Sequence, residues 1–144
     1  MAGRRVSVGG TLVLDGEGLA KLAMGNLPVR ARLEAARTRG ARVVVSSVTL
    51  TEVLRGGRGD AAVHRVLSRV TVLPVTPEIG RAAGELLGST GLSGHRCALD
   101  AVVAATALGQ SRPVVLLTSD PHDMGKLVDE PARPEEQRVV VVHV

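Results

Sequence analysis

The chain has 144 residues, 44% of them hydrophobic, which is enough for one domain with a real core. It contains no Phe, Tyr or Trp, which excludes the aromatic platforms on which many single-strand and RNA-binding modules stack bases. The net charge is +4, from 18 basic residues of which only Lys21 and Lys126 are lysine; this fits either an arginine-lined phosphate surface or a GC-rich coding bias.

Short Val/Leu-rich runs alternate with helical patterns along the chain. Strands are expected at Thr11–Asp15, Arg42–Ser46, Val70–Val75, Pro113–Thr118 and Arg138–Val144, each a nearly continuous apolar run suited to burial on both faces. Helices are expected at Gly18–Met24, Pro28–Arg39, Val48–Arg55, Asp60–Arg69, Pro77–Leu87, Cys97–Leu108 and Pro121–Val128. Glycine stops most of them, while Pro28, Asp60 and Thr76 mark starts. The order βααβααβααβαβ predicts a single three-layer α/β domain over residues 1–144, with a mainly parallel central sheet of about five strands flanked by helices.

Cys97 is the only cysteine, so no intramolecular disulfide is possible and a reducing compartment is expected. Neither a signal peptide in MAGRRVSVGG nor a membrane-length apolar run is present, which predicts a cytoplasmic protein.

Sites in open α/β sheets lie beyond the carboxyl ends of the strands. Asp15 and Asp120 stand at two such ends, Glu52 lies on the helix after the second strand, and Asp100 opens the apolar stretch ALDAVVAATAL. Each has an ordinary structural explanation. Asp15 fits a strand-end turn and Asp120 a helix cap. Thr49 and Glu52 have capping-box spacing, and Asp100 fits a first-turn acid or a partner of Arg96. Brought together, however, four carboxylates repel: two unit charges about 4 Å apart cost roughly 4 kcal/mol at an effective dielectric near 20. A hard divalent cation such as Mg²⁺ or Mn²⁺ offsets that, and a carboxylate-held ion suits phosphodiester hydrolysis. His64, His95, His122 and His143 lack zinc-motif spacing.

Four segments, LVLDGEGLAKL (Leu12–Leu22), SSVTLTEVLRG (Ser46–Gly56), LDAVVAATAL (Leu99–Leu108) and VVLLTSDPHDMGKL (Val114–Leu127), together resemble a PIN-domain ribonuclease, in particular a VapC-type toxin of a type II toxin–antitoxin system. The resemblance implies Mg²⁺- or Mn²⁺-dependent endonucleolytic cleavage of RNA, with Asp15, Glu52, Asp100 and Asp120 as metal-binding catalytic carboxylates. It also implies a small cognate antitoxin and frequent homodimerisation. One position departs from the family pattern: Glu17 stands where a small hydroxyl residue is usual. It either enlarges the acidic cluster or points outward as a helix N-terminal acid.

Around these acids, Thr118 and Ser119 are candidate donors to a ligand carboxylate or water, and Asp123 is a candidate fifth acid. Arg55, Arg58 and Arg96 are candidate phosphate contacts. A receiver domain fits poorly because Asp15 has no adjacent acid, and a DxD phosphatase fits poorly because Asp15-Gly16-Glu17 is DxE. A catalytically weak PIN-like module that only binds RNA or protein is the remaining alternative.

Overall fold

The computed structural model describes residues 9–144; of the stretch MAGRRVSVGG read for a targeting signal, residues 1–8 lie outside the described residues. Five strands form one sheet: β1 (Thr11–Leu14), β2 (Arg42–Ser46), β3 (Thr71–Leu73), β4 (Val114–Thr118) and β5 (Val140–His143). Every pairing is parallel and the order is β3-β2-β1-β4-β5. Seven α-helices connect them: α1 (Gly16–Ala23), α2 (Leu27–Thr38), α3 (Leu50–Val53), α4 (Ala61–Leu67), α5 (Pro77–Thr90), α6 (Gly94–Leu108) and α7 (Pro121–Leu127). The expected α/β fold with its parallel five-stranded sheet is therefore present.

Side chains alternate across a strand, so each central strand feeds two cores. Leu12, Leu14, Val43, Val45 and Leu117 pack with Leu19, Leu22, Val29, Leu33 and Val63 from α1, α2 and α4. Val13, Val44, Val114 and Leu116 pack on the other face with Ala83, Ala101, Val103, Ala104 and Met124 from α5, α6 and α7. The β1 side chains are all buried, which explains its unbroken apolar run. With no large aromatic residue available, the small Ala side chains of α6 let that helix lie close to the sheet.

The chain runs from β1 outward through β2 to β3, then returns to place β4 on the other side of β1. The strand order thus reverses between β1 and β4, and this is the switch point at which open α/β sheets leave a crevice for a ligand.

Several helix limits differ from expectation, and caps account for each. Asp15 caps α1, so the helix starts at Gly16 rather than Gly18. Ser93 caps α6, which starts at Gly94 rather than Cys97. Helix α5 passes through Gly88 and stops at Gly91, whose φ of 70° is the left-handed conformation that glycine supplies without strain. The expected helix Val48–Arg55 is a 3₁₀ turn, Ser47–Thr49, followed by the short α3. Ser46 caps that turn through Val48 N–H at 3.3 Å. Thr49 is itself helical and makes no capping bond; among the described residues its buried hydroxyl has no partner, so the Thr49–Glu52 capping box does not form. Among the described residues, no helix is long and apolar enough to cross a membrane.

Candidate active site

Asp15 is the fixed point of the crevice. It follows β1 directly and is only 6% exposed. Its Oδ1 accepts from Gly18 N–H at 2.8 Å, and its Oδ2 accepts from Ser119 N–H at 3.2 Å. One carboxylate therefore caps α1 and ties the end of β1 to the end of β4, while each oxygen keeps a further lone pair for a ligand. Ser119 thus donates to a candidate ligand carboxylate, as considered from sequence, and does so through its backbone amide. The Thr118 hydroxyl instead accepts from Asp120 N–H at 3.0 Å and shapes the β4 end.

Asp120 caps α7 through Asp123 N–H at 3.2 Å, which leaves its second oxygen free of that bond. Its capping role and its place at the crevice are compatible. Asp123 turns back against α6, with Oδ2 3.9 Å from the Cys97 Sγ.

Asp15, Glu17, Glu52, Asp100 and Asp120 line one cavity of about 480 Å³, together with Gly16, Arg96 and Ser119. Sequence reasoning placed four acids on one side of the sheet, and the fold brings those four to this cavity. Glu17 stands at its rim, about half exposed, with a 3.9 Å contact to Lys21 one turn along α1, so it both borders the acidic cavity and meets solvent.

Asp100 lies well inside α6, past its first turn, because Ser93 and not a later residue caps the helix. It is therefore not a first-turn acid, and among the described residues no ion pair joins it to Arg96. Burial, followed by the charges of Asp120, Asp15 and Asp123, pushes its pKa up to about 6. Glu52 is also raised above the ordinary carboxylate range, first by partial burial and then by Asp15 and Asp100. Among the described residues, neither the Glu52 nor the Asp100 side chain accepts a hydrogen bond, and these are the two carboxyls whose charge the cavity resists.

Among the described residues, no three His, Cys, Asp or Glu side chains are arranged to hold a metal ion as they stand. The donor chemistry nevertheless fits a hard cation. The cavity offers carboxylate oxygens, and all four histidines are exposed. Mg²⁺ commonly keeps several waters and takes only one or two protein carboxylates, so a closed three-ligand cage is not a requirement. Asp15 and Asp120 supply fixed oxygens, and the untied Glu52 and Asp100 can swing toward them.

Gly16 explains how Glu52 enters the cavity. A Cβ at Gly16 would lie 2.9 Å from Glu52 Oε2 and 3.2 Å from its Cβ. Gly16→Ala should displace Glu52 while favouring the helix by at most about 1 kcal/mol. Any activity that depends on Glu52 in this cavity should fall about tenfold or more with the melting temperature nearly unchanged, because small displacements at reacting centres are costly. Equal activity of both proteins would mean that Glu52 does not work from this position.

Arg96 borders the cavity, as expected of a phosphate contact. Arg58 is exposed on the neighbouring turn. Arg55 is not available as expected, since its guanidinium donates to the carbonyls of Thr51, Glu52 and Leu54.

The sequence matches the PIN domain family over residues 25–126, a span that includes Glu52, Asp100 and Asp120. The chain belongs to the PIN-domain family. No curated protein matches it. Among solved structures, this PIN domain is similar to a chain of VapBC2 from Rickettsia felis bound to a DNA fragment from its promoter, with 15% identity and a TM-score of 0.67. That match covers 93% of this chain and 98% of the other. A chain of a toxin–antitoxin complex from Klebsiella pneumoniae matches at 23% identity and a TM-score of 0.59, covering 78% and 88%. A chain of FitAB bound to the IR36 DNA fragment matches at 16% identity and a TM-score of 0.62, covering 92% and 94%. At these identities the PIN fold is what is shared.

Proposed function

We propose that this PIN-domain protein is a Mg²⁺- or Mn²⁺-dependent endoribonuclease and the toxin of a toxin–antitoxin pair. The observation that carries the reading is the meeting of Asp15, Glu52, Asp100 and Asp120 at one cavity on the β1–β4 switch point. Ionised carboxylates gathered without a cation oppose folding, and a structural role alone gives no reason to keep four of them together.

In this reading Asp15 and Asp120 are held in place by backbone amides, so their oxygens present a rigid edge. Glu52 and Asp100 complete the site by rotation. A bound divalent ion supplies a water of lowered pKa and charge stabilisation on the phosphate. Arg96 at the cavity wall supports the scissile phosphate or its neighbour. Recognition runs through phosphate, metal and RNA shape, since no aromatic side chain exists for base stacking. Neutralising four of the 14 acids raises the net charge from +4 to +8, which favours a polyanion.

The toxin role rests on the kind of complex in which the similar solved chains occur, two with DNA fragments and one named simply as a toxin–antitoxin complex. A small inhibitory antitoxin and a second copy of this chain are its protein partners in this reading. A weak binding module has one observation in its favour, the absence of a ready three-ligand cage among the described residues.

Cleavage of single-stranded RNA separates the two. The purified protein should cut RNA with Mn²⁺ and stop with EDTA, and RNA binding should weaken with salt by roughly 0.7 log units per decade for each phosphate contact. Binding without cleavage at any divalent concentration favours the module, and cleavage that survives EDTA excludes the metal.

A further inference from the structure

The turn Arg55-Gly56-Gly57-Arg58-Gly59-Asp60 links α3 to α4, and its glycines alone give no reason for a buried acid. Asp60 is nevertheless 8% exposed. It does not cap α4 with its side chain, as its position before that helix suggests. Its carboxylate instead reaches back. Oδ1 and Oδ2 both accept from Arg55 N–H, at 3.1 and 3.0 Å, and Oδ2 accepts from Gly56 N–H at 2.7 Å.

Arg55 faces the same way with its other end. Nη1 donates to the carbonyls of Thr51 and Leu54 at 3.1 and 2.8 Å, and Nη2 donates to the carbonyl of Glu52 at 2.9 Å. These carbonyls lie in and just beyond α3, a helix of four residues. So short a helix has almost no internal hydrogen-bonding to hold it, because its terminal donors and acceptors outnumber its own bonds. Arg55 satisfies the carbonyls at its end, and Asp60 fixes the backbone from which Arg55 extends. The bend between them needs Gly56, whose φ is 85°.

We infer that Arg55 and Asp60 form a clamp that positions Glu52 in the acidic cavity. The inference rests on the reading of that cavity as a divalent-cation site. Neither residue touches the reacting atoms: both are positioning residues, acting through the α3 backbone. The clamp holds the base of the Glu52 side chain from the C-terminal side, and Gly16 leaves room for its body on the other.

The test is a double-mutant cycle read by Mn²⁺ affinity, from the electron paramagnetic resonance signal of free Mn²⁺ at pH 7.5. Arg55→Ala and Asp60→Asn should each weaken Mn²⁺ binding about tenfold, and neither should weaken it further once Glu52→Gln is present. Because Asp60 is buried and holds two backbone amides, Arg55→Ala, at an exposed side chain, is the decisive variant. Amide exchange adds a metal-free readout: the Arg55 and Gly56 N–H groups should be protected in the wild type and exchange faster in Asp60→Asn. Equal Mn²⁺ losses with and without Glu52→Gln, or unprotected Arg55 and Gly56 amides in the wild type, overturn the clamp and leave the cation site standing. Mn²⁺ affinity unaffected by Glu52→Gln alone overturns the cation site, and the clamp with it.

Discussion

Asp100→Asn should make the metal-free protein more stable and remove its RNA cleavage. The carboxyl of Asp100 is raised from 3.8 to about 6, by burial first and by neighbouring acids second. A difference of that size in a fully buried group corresponds to roughly 3 kcal/mol at 1.36 kcal/mol per unit. Asp100 is only half-buried, so screening by water reduces the expected gain to about 1 kcal/mol, or roughly 4 °C in melting temperature.

The pH dependence has a definite sign. Below the ordinary Asp value the carboxyl is protonated in both folded and unfolded chains, and Asn gains nothing. As pH rises toward about 6, the unfolded chain releases its proton and the folded one retains it, so wild-type stability falls. The advantage of Asn therefore opens between about pH 4 and 6 and stays constant above. Thermal melts of both proteins from pH 4 to 8 without divalent ions give the comparison. Cleavage should drop about a hundredfold or more, the usual scale for losing one group that acts on transition-state charge. A variant that is both destabilised at pH 7.5 and fully active would contradict both halves of the expectation.

Asp15→Ala should behave in the opposite sense with respect to stability. Asp15 is an acid of the same cavity, but its oxygens accept from Gly18 and Ser119 N–H groups. Removing them uncaps α1, strands the buried Gly18 amide and the half-buried Ser119 amide, and cuts the tie between β1 and β4. The cap alone is worth about 1 kcal/mol, and an unsatisfied buried donor adds about 1–3 kcal/mol. Partial relief of repulsion offsets some of this, leaving a net loss of about 2 kcal/mol and a fall of roughly 8 °C in melting temperature. Chemical denaturation at pH 7.5 measures it. Cleavage should also be lost, so two acids of one cavity would share a functional phenotype and split on stability. If Asp15→Ala raised stability as Asp100→Asn is expected to, the backbone hydrogen bonds would not be the dominant role of Asp15.

The contrast also explains what could be read from the sequence. Strand β2 is visible to the residue, because RVVVS follows Gly40-Ala41, ends at Ser46, which caps the next turn, and is buried from Val43 onward. The three-layer α/β class was legible for the same reason, since five apolar runs separated by helical patterns leave few parallel topologies; the PIN reading came instead from the resemblance of the segments around Asp15, Glu52, Asp100 and Asp120 to that family. The four acids were legible because strand ends and the topology fix where Asp15, Glu52 and Asp120 emerge. Their individual environments were not. Whether Asp100 sits in the first turn of α6 depends on Ser93 acting as the cap, and several residues in the preceding stretch compete for that role.

Asp60 was misread for a related reason. An acid before a helix ordinarily caps it, yet here the glycine-rich turn folds Arg55 and Gly56 N–H groups back onto the carboxylate. No periodicity signals such a contact. Arg55 was similarly misplaced because a guanidinium beside an acidic site serves equally well for phosphate or for backbone carbonyls. Gly16 carried a signal that went unused: a glycine directly after a strand-end acid marks close approach by another group, which here is Glu52.

In the proposed reading these four carboxylates hold a divalent cation for RNA cleavage. A Mn²⁺ titration of the wild type and of Asp100→Asn, followed by the signal of the free ion at pH 7.5, tests this. Saturable binding by the wild type that weakens at least tenfold in Asp100→Asn is the predicted result. The same affinity in both proteins, or no saturable binding by the wild type, would contradict it.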